Sequence, residues 1–110
     1  MARRLNRGDI HLYNFAPPDK QRPVVILTFD EIIPFMTYVT VAPISSKVRD
    51  SDGEVRLGID DGMKDVCAVK LHSITTVQQQ TIGPRIGSLS PSRLEEICRA
   101  IRFALGCHQP

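Results

Sequence analysis

The sequence predicts a mainly β domain with one C-terminal helix, in which six or seven short strands curl into a small barrel. Two observations favour this class. Short β-rich runs recur over residues 9–87, separated by proline, glycine and polar turn residues. Sustained helical periodicity comes only afterwards, over residues 91–106. One amphipathic helix after a series of strands is expected to cover the open face of the curled sheet.

The central strand is expected over residues 21–27. Five consecutive apolar residues follow Arg22, three of them β-branched, which is typical of a strand buried on both faces. Pro23 cannot donate to a β-ladder, so it belongs at the start of such a strand. Arg22 is thereby placed at the strand end, where a guanidinium held by a rigid element suits a phosphate group.

The other strands follow from alternation and β-propensity. In the first of them, His11 and Tyr13 are expected to be surface residues. Pro43 is expected to mark an edge or a bulge near the end of another. The loop of residues 16–21 should be rigid and polar, and residues 30–37 should form a loop with about one helical turn. The expected strands are residues 9–15, 37–44, 54–57, 66–71 running on into 72–77, and 81–87.

The helix is predicted from its caps and its spacing. Ser90 is a favourable N-cap, and Pro91 falls at the first helical position. Apolar residues then recur at intervals of three and four, and Gly106 is expected to end the helix. The expected buried positions are Leu94, Ile97, Cys98, Ile101 and Leu105.

Length and composition favour one compact domain. The chain has 110 residues, of which 42% are hydrophobic, enough for a single core. We expect one domain over residues 1–110, with residues 1–6 as a flexible basic arm. A net charge of +2 is compatible with a polyanionic partner without requiring one. Neither a membrane-spanning run nor a signal-peptide pattern is present, so we expect a soluble, cytoplasmic protein.

The cysteines predict neither a disulfide framework nor a metal site. Cys67, Cys98 and Cys107 are odd in number and widely spaced, with no C-x-x-C pair among them. The first two are expected to be small core residues, and Cys107 to be exposed. The adjacent carboxylates of Asp60 and Asp61 fall far short of a calcium loop.

Five short motifs stand in a fixed order along the chain. The motifs are Arg7-Gly8-Asp9-Ile10, Arg22-Pro23-Val24-Val25, Val41-Ala42-Pro43-Ile44-Ser45-Ser46, Asp65-Val66-Cys67-Ala68-Val69 with Ile74-Thr75-Thr76-Val77, and Arg85-Ile86-Gly87-Ser88-Leu89-Ser90. In this order and at these intervals they resemble the MazF/PemK family of toxin endoribonucleases from type II toxin–antitoxin pairs, over about residues 7–106.

The resemblance implies an SH3-like small β-barrel of the MazF/CcdB type and a homodimer. It further implies metal-independent cleavage of single-stranded RNA, without any cofactor, and inhibition of growth. A cognate antitoxin peptide would neutralise the toxin and bind DNA together with it. The loop of residues 16–21 is shorter than is usual in the family, so the cleavage motif does not carry over.

The resemblance also assigns the candidate catalytic residues. Arg22 corresponds to the arginine of the family's Arg-Pro pair, and Ser45 to its Thr or Ser near the end of the third strand. His72 stands at the third position of a basic-x-acidic triplet, where the family often has the acid. RNA-binding roles are expected for Lys20, Ser46, Lys47, Lys70 and Arg85.

These residue types suit cleavage of RNA by its own 2′-hydroxyl, which needs a base, an acid and a cation on the phosphorane. Arg22 supplies a permanently charged planar fork. Ser45 can donate to a non-bridging oxygen, although a serine after a strand also arises for local backbone reasons. A histidine side chain can serve as base or acid, and the sequence leaves the choice open for His72.

Three alternatives from other classes stay open, and the plainest is a purely structural small barrel. A CcdB-like, gyrase-poisoning toxin would depend on exposed residues near the end of the C-terminal helix. The last five residues there include no aromatic side chain of the kind such a contact favours. A catalytically inactive nucleic-acid-binding barrel would keep the surface cations without a converging site.

Overall fold

The computed structural model describes residues 4–18 and 20–107, and these residues form seven strands and one α-helix, as predicted. The elements are β1 (Asp9–Asn14), β2 (Gln21–Ile26), β3 (Tyr38–Ser45), β4 (Glu54–Leu57), β5 (Cys67–Lys70), β6 (Thr75–Gln78), β7 (Arg85–Ser88) and α1 (Pro91–Leu105). Single-turn 3-10 helices lie in the connections at Ile33–Phe35, Ile59–Asp61, Leu71–Ser73 and Gln79–Thr81.

The strands form one curled antiparallel sheet in the order β4-β5-β3-β2-β1-β7, and β6 also pairs with β3. On the side away from β2, β3 pairs with β6 up to Val41 and with β5 from Ile44 onward. Pro43 lies where the partner changes and this ladder is interrupted. The predicted edge or bulge at Pro43 is therefore wrong, because β3 is a central strand and the change of partner accommodates the proline.

Two hydrophobic clusters lie on opposite faces of the sheet, and β2 contributes to both. Val25 belongs to the cluster that α1 covers, whereas Val24 and Ile26 belong to the other. All three are fully buried, which confirms the prediction of a strand buried on both faces. Burying such a side chain contributes roughly 1.5–3 kcal/mol, so β2 is a rigid base for the residue that begins it.

The helix has the predicted caps. The Ser90 hydroxyl accepts a hydrogen bond from the Arg93 backbone N–H at 3.3 Å, and Gly106 ends the helix with a left-handed φ of 73°. Ile97 and Ala100 are buried. The expected burial of Leu105 is wrong, since this side chain is 58% exposed. Eight residues of helix turn Leu105 about 80° away from Ile97, which takes it off the covered face.

The surface prediction for His11 is also wrong. Its side chain is 1% exposed, and Nδ1 lies 2.9 Å from the Gly83 carbonyl oxygen. Strand β1 lies between β2 and β7, and the segment before β7 covers its second face. Tyr13 is half-buried and packs edge-on against Phe15, with ring centroids 4.8 Å apart.

Two predicted segments, the N-terminal arm and the last strand, differ from the structure. Leu5 is buried in the cluster that contains Val24, so the expected flexible arm of residues 1–6 is wrong at this position. Its first three residues lie outside the described part of the chain. The strand expected over residues 81–87 begins only at Arg85, because Gln79–Thr81 forms a helical turn and the Gly83 N–H donates to the Leu12 carbonyl.

The cysteines are free thiols at graded depth. Cys67 is buried and Cys107 exposed, as the sequence predicts, whereas Cys98 is only half-buried and the prediction of a core position is wrong for it. Burial raises the pKa of the Cys67 thiol, and the charges of Asp61 and Asp65 add to the effect. Within residues 4–18 and 20–107, no helix combines the length and the apolar character needed to cross a bilayer.

Candidate active site

Arg22 and Ser45 meet at neighbouring strand ends. In the β2–β3 ladder Val24 is opposite Pro43, and the same register continued by two residues sets Arg22 opposite Ser45 on one face of the sheet. Both residues line a groove of about 620 Å³, called the basic groove below. Residues far apart in the sequence are brought together here by antiparallel pairing of two buried strands.

His72 lines the same groove from a different element. It lies in the turn Leu71–Ser73 that follows β5. Its imidazole rests on the backbone of Gly53, where an added β-carbon would stand 2.2 Å from Nε2. The Leu71 N–H donates to the Gly53 carbonyl at 2.9 Å, and the Phe103 ring lies edge-on to the imidazole at 6.3 Å. His72 is thus held between the start of β4 and the helix.

The polar groups of the site differ in the hydrogen bonds and ion pairs that they form within the protein. The Ser45 hydroxyl accepts a hydrogen bond from the Lys47 backbone N–H at 3.2 Å, which leaves its own proton available to donate. Arg22 is half-buried. In the described part of the chain, no carboxylate forms an ion pair with Arg22.

Glu54 is a member of the groove that the sequence did not reveal. It begins β4 directly opposite Lys70, and the Lys70 ammonium donates to its Oε2 and to the Lys47 carbonyl. Its Oε1 accepts the backbone N–H groups of Arg49 at 3.0 Å and Asp50 at 3.2 Å. Desolvation acts to raise the pKa of Glu54, but these hydrogen bonds and the Lys70 charge outweigh it, so the pKa lies below its ordinary value.

The basic groove carries a cationic excess. Among the described residues that line the basic groove, one carboxylate, that of Glu54, stands with four cationic side chains: Arg22, Lys47, Arg49 and Lys70. Such a surface attracts polyanions at long range. No group of three or more His, Cys, Asp or Glu side chains within the described ranges is placed to hold a metal ion.

The remaining predicted RNA-binding residues are spread more widely. Lys20 and Ser46 line a second groove of about 610 Å³, called the apolar groove, which shares Arg22 and Ser45 with the basic groove. Arg85 lines neither groove. Its guanidinium is 4.0 Å from Oδ1 of Asp9, so the structure does not bring Arg85 to the site.

The comparisons with known proteins identify the family of this chain. The family model described as PemK-like, MazF-like toxin of type II toxin–antitoxin system matches residues 6–105. The probable endoribonuclease MazF2 of Mycobacterium tuberculosis is 31% identical over 104 residues, which cover 94% of this chain and 100% of the relative. Endoribonuclease MazF3 of the same organism is 35% identical over 88 residues, or 80% and 85% of the two chains.

Solved structures give the same assignment. The M. tuberculosis toxin MazF-mt6 superposes with a TM-score of 0.81 at 34% identity, covering 89% of this chain and 96% of that one. An endoribonuclease in complex with its cognate antitoxin, from a mycobacterial species, shares the fold with a TM-score of 0.84 at 20% identity, covering 96% and 99%. The chain belongs to the family of PemK-like, MazF-like toxins of type II toxin–antitoxin systems.

Proposed function

We propose that this toxin cleaves single-stranded RNA with Arg22, Ser45 and His72 as its catalytic residues. The reaction needs neither a metal ion nor another cofactor. The observation that carries the proposal is that these three side chains, from three separate elements, line one basic groove. Membership of a toxin family whose relatives are named endoribonucleases supports it.

The proposed reaction is attack by the 2′-hydroxyl of the substrate on the adjacent phosphorus. The 2′-O–P bond forms and the P–O5′ bond breaks, giving a 2′,3′-cyclic phosphate and a free 5′-hydroxyl. One proton leaves the 2′-oxygen and one reaches the 5′-oxygen. His72 moves one of these protons, while Arg22 and Ser45 hold the non-bridging oxygens, on which negative charge builds up in the transition state.

The test uses the purified protein and a labelled single-stranded RNA in excess EDTA. We expect cleavage with cyclic phosphate ends, and loss of cleavage in Arg22→Ala. The matched control is Arg99→Ala, which removes an exposed helix arginine away from both grooves and should cleave normally. Full activity of Arg22→Ala would contradict the assignment. Inhibition of gyrase supercoiling with intact RNA would favour a CcdB-like toxin instead.

The RNA backbone is proposed to follow Lys47, Lys20 and Ser46 along the two grooves. Lys47 lines the basic groove, and Lys20 and Ser46 line the apolar groove on the other side of Arg22. Each phosphate contact adds about one unit to the slope of log affinity against log salt. Lys20→Ala and Lys47→Ala should each reduce this slope, and an unchanged slope would remove that residue from the path.

A cognate antitoxin peptide and a second copy of the chain are proposed as partners. Relatives of the same fold were solved with their antitoxins, and an acidic peptide in the basic groove would block RNA. An exposed apolar surface supports the homodimer. It includes Phe29, Ile32, Phe35, Met36 and Tyr38, of which Phe35 is 85% exposed.

The homodimer is tested by the solution mass. Light scattering should give twice the chain mass, and Phe35→Ser should shift the equilibrium toward monomer, whereas a monomeric wild type would refute the dimer.

Cleavage of cellular RNA implies action in the cytoplasm. Expression without antitoxin should therefore arrest growth, and co-expression of the antitoxin should restore it.

A further inference from the structure

We propose that Glu54 is a positioning residue for RNA cleavage, which fixes Ser45 and His72 through Lys70 and the loop of residues 46–53. In this role Lys70 serves the internal network and does not bind an RNA phosphate. The inference rests on the proposed function and deepens it.

The first part of the network joins the start of β4 to the end of β5. Glu54 and Lys70 are directly opposed across the ladder. Their side chains are only 7% and 17% exposed. The Lys70 ammonium is already bound by the Glu54 carboxylate and the Lys47 carbonyl. An RNA phosphate that bound this ammonium would have to displace a nearly buried carboxylate. We therefore infer that the Lys70 ammonium binds groups of the protein and not the substrate.

The second part fixes the loop between β3 and β4. The carboxylate oxygen of Glu54 that Lys70 does not bind accepts hydrogen bonds from the N–H groups of Arg49 and Asp50. The Glu54 N–H donates to the Ser51 carbonyl at 3.1 Å. A single acidic side chain thus binds the middle of the loop while Lys70 binds its beginning at Lys47. A carboxylate is required because it can accept all three donors at once.

The third part leads from the loop to the proposed catalytic groups. Lys47, whose carbonyl is bound by Lys70, donates its N–H to the Ser45 hydroxyl at 3.2 Å. At the other end of the loop, Gly53 precedes Glu54 and carries the imidazole of His72 on its backbone. Displacement of the loop therefore changes the orientation of Ser45 and removes the support beneath His72.

The decisive variants are Glu54→Gln, which removes the charge, and Glu54→Asp, which keeps the charge but shortens the side chain. We expect kcat to fall about 10- to 100-fold in both, because small misplacements of reacting groups cost that much. KM should stay unchanged or fall in Glu54→Gln, since the groove becomes more positive. If Glu54→Asp keeps the wild-type kcat, the carboxylate acts by charge alone and the positioning role is refuted.

Lys70→Met separates an internal role from a phosphate contact. We expect kcat to fall as in Glu54→Gln, with the salt slope of RNA binding unchanged, and the double variant to lose no more than either single variant. A salt slope reduced by about one unit with unchanged kcat would show a direct phosphate contact and overturn the inference. Arg56→Gln is the matched control: it breaks an exposed ion pair to Asp50 in the same loop and should keep wild-type kcat.

A second measurement does not depend on activity. In the NMR spectrum of Glu54→Gln, the amide resonances of Arg49 and Asp50 should shift, and those of Lys47 and the His72 ring should shift with them. The remaining resonances should stay dispersed as in a folded protein. Shifts confined to Arg49 and Asp50 would refute the link to the catalytic groups. If the wild type fails to cleave RNA but these shifts occur, the proposed function fails while the network stands.

Discussion

The imidazole of His72 rests on the α-carbon of Gly53, so closely that a β-carbon there would stand 2.2 Å from Nε2. Gly53→Ala must therefore push the ring away from the basic groove, or force the backbone of the loop to move. We expect kcat to fall about tenfold or more. The measurement is steady-state cleavage of a short labelled RNA, with a thermal melt to show that the variant is folded.

Gly58→Ala is the matched control for this substitution. Gly58 also lies next to β4, but no atom comes within 4 Å of an added β-carbon, and its φ of −150° suits any residue. It should cleave RNA at the wild-type rate. Equal activity of Gly53→Ala would mean that His72 is outside the chemistry.

Arg22→Lys tests whether the planar fork or the charge alone matters at the junction of the two grooves. A lysine keeps the positive charge but cannot hold two phosphate oxygens in one plane. We expect kcat/KM to fall about tenfold in Arg22→Lys and about 100-fold or more in Arg22→Ala. Initial cleavage rates of the variants and the wild type at equal enzyme concentrations, with RNA well below KM, give both ratios directly. Wild-type activity of Arg22→Lys would reduce the role of Arg22 to a general electrostatic attraction.

The accuracy of the sequence-based predictions depended on how local each determinant is. The ends of α1 follow from Ser90 and Gly106, and the double burial of β2 follows from its own apolar run. His11 was misassigned because alternation along β1 does not show that a second partner covers its other face. Glu54 was missed because its meeting with Lys70 depends on the register of β4 with β5. Arg22 was singled out by its position at the start of β2 and Ser45 through a resemblance, and only the β2–β3 pairing explains their proximity.

Acid should destabilise the protein by protonating two carboxylates, Asp61 and Glu54, whose pKa values are lowered in the folded state. Desolvation acts to raise the pKa of Asp61, but its hydrogen bonds from Arg93 and the Gly58 N–H outweigh this effect and lower the pKa below 3.8. The pKa of Glu54 likewise lies below 4.5. Because the folded state binds these protons less readily, the two groups stabilise it fully above about pH 5. That contribution is lost as pH falls through the folded-state pKa values.

Urea unfolding between pH 7 and pH 3 measures this dependence. Asp61→Asn should lower the unfolding free energy at pH 7 by roughly 1–3 kcal/mol, since it weakens a nearly buried ion pair with Arg93. Its stability should also change less with pH than that of the wild type. If the unfolding free energies of Asp61→Asn and the wild type change equally with pH, Asp61 does not contribute to the acid sensitivity.

The three thiols should react in order of their depth. Cys107 is exposed, whereas Cys67 is buried and burial raises the pKa of its thiol, so that little reactive thiolate forms near neutral pH. With iodoacetamide and mass spectrometry at pH 7.5, we expect Cys107 to be alkylated first and Cys67 only as fast as the core opens. Addition of urea below the unfolding midpoint should accelerate Cys67 strongly and Cys107 little. Rapid modification of Cys67 in the native protein would contradict its burial in the core.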